Sequence, residues 1–312
     1  MIILVTGGAG FIGSHIAERL VTIGHQVRIL DNLSSGRIEN IAAFADRVTF
    51  VEGDIRDAAL VEEVAGGCDL IYHEAAVVSI PHTIECPQES HDVNIQGTFN
   101  VLQAARQCGV RRVVFACSSA IYGDDSLLPK NEVMAPKPIS PYGVEKIAGE
   151  YYLGAFNHLY GVETVSLRYF NVYGPRQDPS SPYSGVISIF VDCALNQRQP
   201  TVFGVGEQSR DFVFIGDVVR ANMLAGTVPQ ATGRCYNIGR GQRTTLNQLL
   251  HILGEICDQD MAPKYEPSRE GDIQHSVADI TRATAEMRYL PSVDVEEGLR
   301  RLVDYEREMR GR

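Results

Sequence analysis

Three side chains define the chemistry open to this chain: Ser118, Tyr142 and Lys146. Tyr142 and Lys146 are one helical turn apart, so a helix through them presents both on one face. A phenol held over a carbon that bears a hydroxyl is a base for the hydroxyl proton. Free tyrosine titrates at about 10, too high for an efficient base at neutral pH. A lysine ammonium one turn away favours the phenolate. Ser118 directly follows the apolar, β-branched run Val113 to Cys117, where a hydroxyl would hold and relay a substrate proton. The alternative is a turn serine beside a surface Tyr–Lys helix pair.

The elements around these residues bear on that choice. Val113 to Cys117 reads as a strand buried on both faces, and α/β proteins place their chemistry at the carboxyl ends of such strands. A helix over 142–160 follows the proline-rich loop Pro129 to Pro141, with Pro141 near its first turn. The chain opens on another buried strand, Ile2 to Val5, followed at once by Gly7-Gly8-Ala9-Gly10-Phe11-Ile12-Gly13. Gly7 suits a tight turn, Gly10 a close backbone approach to a ligand, and Gly13 close helix–strand packing. The helix from Ser14 to Ile23 carries Ile16, Ala17 and Leu20 on one face and points its free N–H groups at a pyrophosphate. Gly7, Gly10, Phe11, Ile12 and Gly13 are thus expected dinucleotide contacts.

A second strand, Val27 to Leu30, ends in Asp31, an acid placed to bond adenosine ribose hydroxyls. A carboxylate there repels a 2′-phosphate, which favours NAD over NADP; Arg37 is the one feature that argues the other way. Asn32, Ser35 and Gly36 lie in the polar turn that would wrap the adenosine. After the third strand, Val48 to Glu52, Asp54 is placed to receive the adenine amino group with Ile55 beside it. The other role for an acid here is N-cap of the helix 58–64. The fourth strand, Cys68 to His73, leads into Glu74-Ala75-Ala76, where the small Ala75 lets backbone approach the cofactor. Beside such a site, the positive nicotinamide ring further favours a Tyr142 phenolate.

The stretch 77–89 has no clean period, 93–106 reads as one helix, and 165–168 as a sixth strand. Beyond residue 170 the strand–helix alternation degrades. Helices are predicted over 186–196, 217–225, 246–257 and 295–307, with extended pieces at 201–203, 210–214 and 235–238. The predicted fold is α/β: a Rossmann-type parallel sheet flanked by helices over 1–170, with segments near 211–240 returning to it. A smaller, interleaved substrate-binding domain takes most of 171–312.

Bulk properties narrow the function further. A formal charge of −11 disfavours nucleic acid and anionic membranes as partners. There is no apolar run of membrane-spanning length, and Met1 leads straight into the first strand, so the expected location is cytoplasmic. Seven scattered cysteines without a CxxC read as packed thiols, and the eight histidines lack paired ligand spacing, so no metal is expected.

The glycine loop, the Tyr142-Gly143-Val144-Glu145-Lys146 block and Leu167-Arg168-Tyr169-Phe170-Asn171-Val172-Tyr173-Gly174-Pro175 together resemble the extended short-chain dehydrogenase/reductase family over nearly the whole chain. Within it the chain is most similar to nucleotide-sugar 4-epimerases. The resemblance implies tightly held NAD, oxidation of the sugar at C4, turning of the ketone in the site and return of hydride to the other face. It makes Ser118, Tyr142 and Lys146 catalytic, with Tyr142 and Lys146 also touching the cofactor. It places Ser79, Ser118, Ser119, Tyr142, Asn171, Arg210, Arg269, Asp272 and Ser276 at a UDP-sugar, with both arginines on the diphosphate and Asp272 on the uridine ribose. It also implies a homodimer through helices near 93–106 and 142–160.

Departures from relatives sharpen the assignment. Sugar-nucleotide dehydratases place an Asp-Glu pair after the catalytic hydroxyl residue; here Ser118 is followed by Ser119 and Ala120. Uronate enzymes commonly carry an arginine beyond Gly174-Pro175-Arg176; here Asp178 follows, which would repel a sugar carboxylate, although Arg176 keeps a uronate open. In the family, a tyrosine at the position of Ser276 restricts the site to glucose and galactose. The small serine leaves volume for a 2-acetamido group. The expected reaction is therefore interconversion of UDP-GlcNAc with UDP-GalNAc and also of UDP-Glc with UDP-Gal.

Overall fold

The computed structural model describes residues 1–178, 185–268 and 273–311. Its centre is a seven-stranded, all-parallel sheet. The first half of the chain supplies β1 (Ile2–Thr6), α1 (Phe11–Thr22), β2 (Gln26–Asp31), β3 (Val48–Glu52), α2 (Ala58–Ala65), β4 (Leu70–His73), α3 (Ile80–Glu85), α4 (Pro87–His91), α5 (Thr98–Gln107), β5 (Arg112–Ser118), α6 (Pro141–Tyr160) and β6 (Glu163–Tyr169). The second half supplies β7 (Asn171–Tyr173), α7 (Val186–Leu195), β8 (Thr201–Phe203), β9 (Ser209–Arg210), β10 (Phe212–Phe214), α8 (Ile215–Thr227), β11 (Arg234–Ile238), β12 (Thr244–Thr245), α9 (Leu246–Cys257), β13 (Lys264–Glu266), α10 (Thr281–Met287) and α11 (Val295–Arg310).

The strand order is β11-β6-β5-β4-β1-β2-β3. The order reverses at the β1–β4 pair, where Thr6 lies opposite His73. Such a reversal opens a crevice at the strands' carboxyl ends, and open α/β sheets bind ligands there. Full burial explains the near-continuous apolar reading of the strands: Ile3, Leu4, Val5, Val113, Val114 and Val165 have no exposed surface. Helix α1 buries Ile16, Ala17, Leu20 and Val21 against one face, next to α8. Burying a side chain the size of Leu20 contributes about 2 kcal/mol.

Among the described residues beyond β6, only β11 joins the large sheet; it lies parallel to β6. The remaining short strands pair two by two, β7 with β10, β9 with β12 and β8 with β13. Two features depart from the sequence reading. Residues 77–89 hold α3 and α4, each too short to display a helical period; Ser79 caps α3, and a proline stands in the first turn of each. The helix expected over 93–106 opens instead with a π-turn at Asp92–Gly97. The extra residue in that turn aims Asn94 into the interior. No helix among the described residues is long and apolar enough to cross a membrane.

Candidate active site

Ser118 ends β5, and its hydroxyl accepts from Ala120 N at 3.1 Å, which caps the short turn Ser119–Tyr122. Helix α6 arrives over this turn. Its cap is Ser140, whose hydroxyl accepts from Gly143 N at 3.2 Å. A Cβ on Gly143 would stand 2.9 Å from Ala120 O, so glycine there lets the first turn of α6 press onto the serine turn. That contact brings Tyr142 to Ser118.

Lys146 is buried and donates to Ala116 O at 2.8 Å, with its ammonium 5.8 Å from the Tyr142 ring centroid. Desolvation in the cleft floor pushes the Tyr142 phenol up, and the Ser118 hydroxyl is the neighbour that pulls it back. Lys146 is itself held below the ordinary lysine range by burial. Both charged forms are thus disfavoured by the same loss of water. The sequence reading gave the lowering of the phenol to Lys146; here the neighbour that lowers it is Ser118, and burial outweighs that pull.

Two carboxyls that sequence reasoning did not single out support this centre. Glu145 is buried one position before Lys146; it accepts from Asn94 Nδ2 at 2.6 Å and from the Ser90 hydroxyl. Asn94 also bonds both N and O of Val77 at 2.9 Å. The network ties α6 to the π-turn and to the chain leaving β4, and so fixes where Tyr142 and Lys146 point. Glu74, at the exit of β4, accepts from the Tyr169 hydroxyl at 3.1 Å. Burial lifts its carboxyl to about 7, against the pull of Tyr169 and Lys146. The signal for Glu74 was its place after a buried strand; that for Glu145 was an acid on the buried face of α6. Neither is decisive without the partner element.

The cofactor end is a backbone cradle. Gly7 has φ +68°, and a Cβ there would meet Ala75 N at 2.7 Å; at Gly13 it would meet Gly7 O at 2.2 Å. Helix α1 has Gly10 as its N-cap and no side-chain cap, leaving the first N–H groups by Phe11 and Ile12 for an anion. Asp31 is buried and accepts from Ala9 N at 2.9 Å and Leu33 N at 2.8 Å, so it also staples the glycine loop to the end of β2. Two carboxylate oxygens retain acceptor capacity for ribose hydroxyls. A Cβ at Gly36 would lie 2.6 Å from Asp31 Oδ1, which explains a glycine beside that acid. These features fit a dinucleotide.

Some expectations at this end shift. Asp54 is engaged by Arg56, with Nε at 2.9 Å, and by Asn32 Nδ2 at 2.8 Å; Arg56 holds it down at about 2. The cap of α2 is Asp57, which accepts from Ala59 N and Leu60 N. Ile55 is buried against Gly97. Ser35 is exposed in the turn beyond β2. Arg37 is ion-paired with Asp178. That pair joins Asp178 to the turn beyond β2. Arg176 likewise bonds Glu18 of α1 at 2.6 Å.

The substrate end is a cavity of about 560 Å³. Ser118, Ser119, Tyr142, Asn171, Arg210 and Ser276 line it together, with Lys130, Ile80, Ile84, Tyr169 and Phe170 among the other walls. Ser276 N bonds Ser209 O at 3.0 Å, and Arg210 bonds Gln274 O at 3.3 Å, so β9 and the segment after 273 meet at one corner. Ser79 does not line the cavity; its hydroxyl accepts from His82 N as the α3 cap. Arg269 and Asp272 lie outside the described residues.

Comparisons with known proteins agree with this architecture. The family model described as NAD dependent epimerase/dehydratase matches residues 3–239. The chain is 41% identical to a putative UDP-glucose 4-epimerase of Methanocaldococcus jannaschii over 305 residues, 97% of each protein. It superposes on the crystal structure of UDP-glucose 4-epimerase with UDP-glucose from Thermotoga maritima with a TM-score of 0.95 at 40% identity, covering 99% of both chains. On a UDP-N-acetylglucosamine 4-epimerase from Methanobrevibacter ruminantium, in complex with UDP-N-acetylmuramic acid, the TM-score is 0.94 at 37% identity over 98% of both. Relatives at 32% identity include a protein named as a decarboxylase as well as 4-epimerases.

Proposed function

The chain belongs to the NAD-dependent epimerase/dehydratase family, and on that premise we propose that it is a UDP-hexose 4-epimerase. Its substrates on this reading are UDP-GlcNAc and UDP-GalNAc, and also UDP-Glc and UDP-Gal. The observation that carries it is the convergence of Ser118, Tyr142, Asn171, Arg210 and Ser276 on one cavity at the carboxyl end of the sheet. NAD held there would supply a reversible hydride acceptor for C4. Tyr142 takes the C4 hydroxyl proton, Ser118 orients the C4 oxygen, and Lys146 supplies positive charge beneath the ring. Gly7, Gly10, Phe11, Ile12, Gly13, Asp31 and Ala75 hold the cofactor. Arg210, and with it Arg269 and Asp272 by resemblance, would meet the nucleotide.

A neutral sugar is supported by the engagement of Arg176 with Glu18, which leaves that guanidinium on α1 and off the cavity wall. Ser276 supports the acetylated pair by its small volume. A homodimer is supported by the apolar face of α6, where Val144, Tyr151 and Leu159 are 50%, 63% and 65% exposed. Tyr152 of the same helix packs edge-on to Phe99 of α5.

The test is interconversion of each UDP-sugar pair by the purified protein without added NAD. Ser276→Tyr is expected to lower activity on the acetylated pair at least about tenfold relative to the other pair. Tyr142→Phe is expected to cost ~10²–10⁴-fold in turnover while sparing nucleotide binding. Net release of NADH, or turnover by Tyr142→Phe at the wild-type rate, refutes the assignment.

A further inference from the structure

Among the described residues, one set of metal-ligating side chains stands outside the cleft, at the break between α3 and α4. His82 lies in α3, Cys86 is the junction residue at φ −126° and ψ 60°, and Glu89 lies in α4. His82 Nε2 is 3.1 Å from a Glu89 carboxylate oxygen. One ligand atom from each of the three residues lies within 4.8 Å of the other two. Zinc bonds of about 2.0–2.3 Å in tetrahedral geometry place neighbouring donors roughly 3.3–3.8 Å apart. Rotation of the half-buried His82 and the exposed Cys86 and Glu89 side chains would close that gap. The backbone is already held across the junction: Cys86 N bonds His82 O at 2.8 Å, and Ser90 N bonds Cys86 O at 3.2 Å.

The donor types select the ion. One imidazole nitrogen, one thiolate and one carboxylate suit a borderline-soft cation, whereas calcium and magnesium take oxygen sets. We propose that His82, Cys86 and Glu89 form a surface site for one zinc-class divalent cation, completed by water, that clamps α3 to α4. The sequence reading expected no metal because the histidines lack paired spacing. The site escapes that criterion because it holds a single histidine, with Cys86 and Glu89 following at i+4 and i+7 on the same side of the chain.

Binding replaces the S–H bond of Cys86 by an S–metal bond and releases one proton, with no change of oxidation state. Arg56 is the cation whose field reaches Glu89 and neighbouring Asp92. The clamp also reaches the cavity, because Ile80 and Ile84 of α3 form part of its wall. This inference does not depend on which sugar the cavity takes.

The experiment uses the full chain, reduced and stripped of metal, titrated with zinc against a chromophoric chelator and separately with Co²⁺. One zinc per chain and a thiolate-to-cobalt charge-transfer band are expected. Cys86→Ser should abolish the band and weaken zinc binding at least about tenfold, and Glu89→Gln should weaken it as well. Cys108→Ser, at a part-exposed cysteine elsewhere, should change neither. Zinc should slow hydrogen exchange of the 80–91 amides in wild type and not in Cys86→Ser, with circular dichroism showing both chains folded. No cobalt–thiolate band, or zinc bound as tightly by Cys86→Ser, overturns the proposal.

Discussion

At the cofactor end of the cleft the ligand surface is backbone. Gly7, Gly10 and Gly13 bring main chain together, and the elements that carry them are consecutive in sequence. At the substrate end it is side chain: Asn171, Arg210 and Ser276 come from separate short segments that no large sheet holds. Those segments are pinned instead by buried acids. Asp211, with no exposed surface, accepts from Arg240 N at 2.7 Å, Gly241 N at 2.9 Å and Ala278 N at 3.0 Å. Asp217 accepts from Ser292 N at 3.0 Å and Val293 N at 3.1 Å. A cradle of adjacent main chain needs glycine and little else. A cavity assembled from distant segments needs anchors, and a buried carboxylate with several N–H donors is a strong one.

The contrast makes separable predictions. The largest effect is expected from Gly13→Ala, whose methyl would lie 2.2 Å from Gly7 O with only backbone to yield. Purified Gly13→Ala should carry little or no NAD, measured by release on denaturation, while isothermal titration still detects UDP. Equal loss of UDP binding would break the separation of the two ends. Asp211→Ala should do the converse. It leaves three N–H groups without their acceptor, that of Ala278 buried, and costs about 2 kcal/mol in denaturant unfolding, with UDP affinity lost before NAD content.

The smallest effect is expected at Glu74, which sits where the two ends meet. Its folded carboxyl titrates at about 7, above the ordinary value of 4.5. The folded chain thus keeps a proton that the unfolded chain has released, so stability falls as pH rises from about 4.5 through about 7. Glu74→Gln lacks that fall and should be more stable than wild type at pH 8 by about 1–2 kcal/mol. Glu74 also raises the Tyr142 phenol. An inflection near neutral pH in the wild-type activity profile should accordingly be absent from Glu74→Gln. An unchanged profile and unchanged stability together would confine Glu74 to packing.

The sequence by itself pointed to the glycine cradle and to the proposed trio of Ser118, Tyr142 and Lys146. A glycine loop between a buried strand and a helix, and a Tyr–Lys pair one turn apart, are local patterns, and local patterns survive without knowledge of the fold. Continuous apolar runs also announced the parallel strands of the first half. Tertiary structure alone decided the rest. It put Asp178 on Arg37 and Arg176 on Glu18, because ion pairs form between residues that are distant in sequence. It turned Ser79 into a helix cap, and it used Glu145 and Asn94 to aim α6. It drew Arg210 and Ser276 into one corner through the two-residue strand β9, too short to show a period, and the bond from Ser276 N to Ser209 O. At the end of β5 the two sources meet: the sequence supplied the hydroxyl of Ser118, and the packing of Gly143 on Ala120 brought Tyr142 to it.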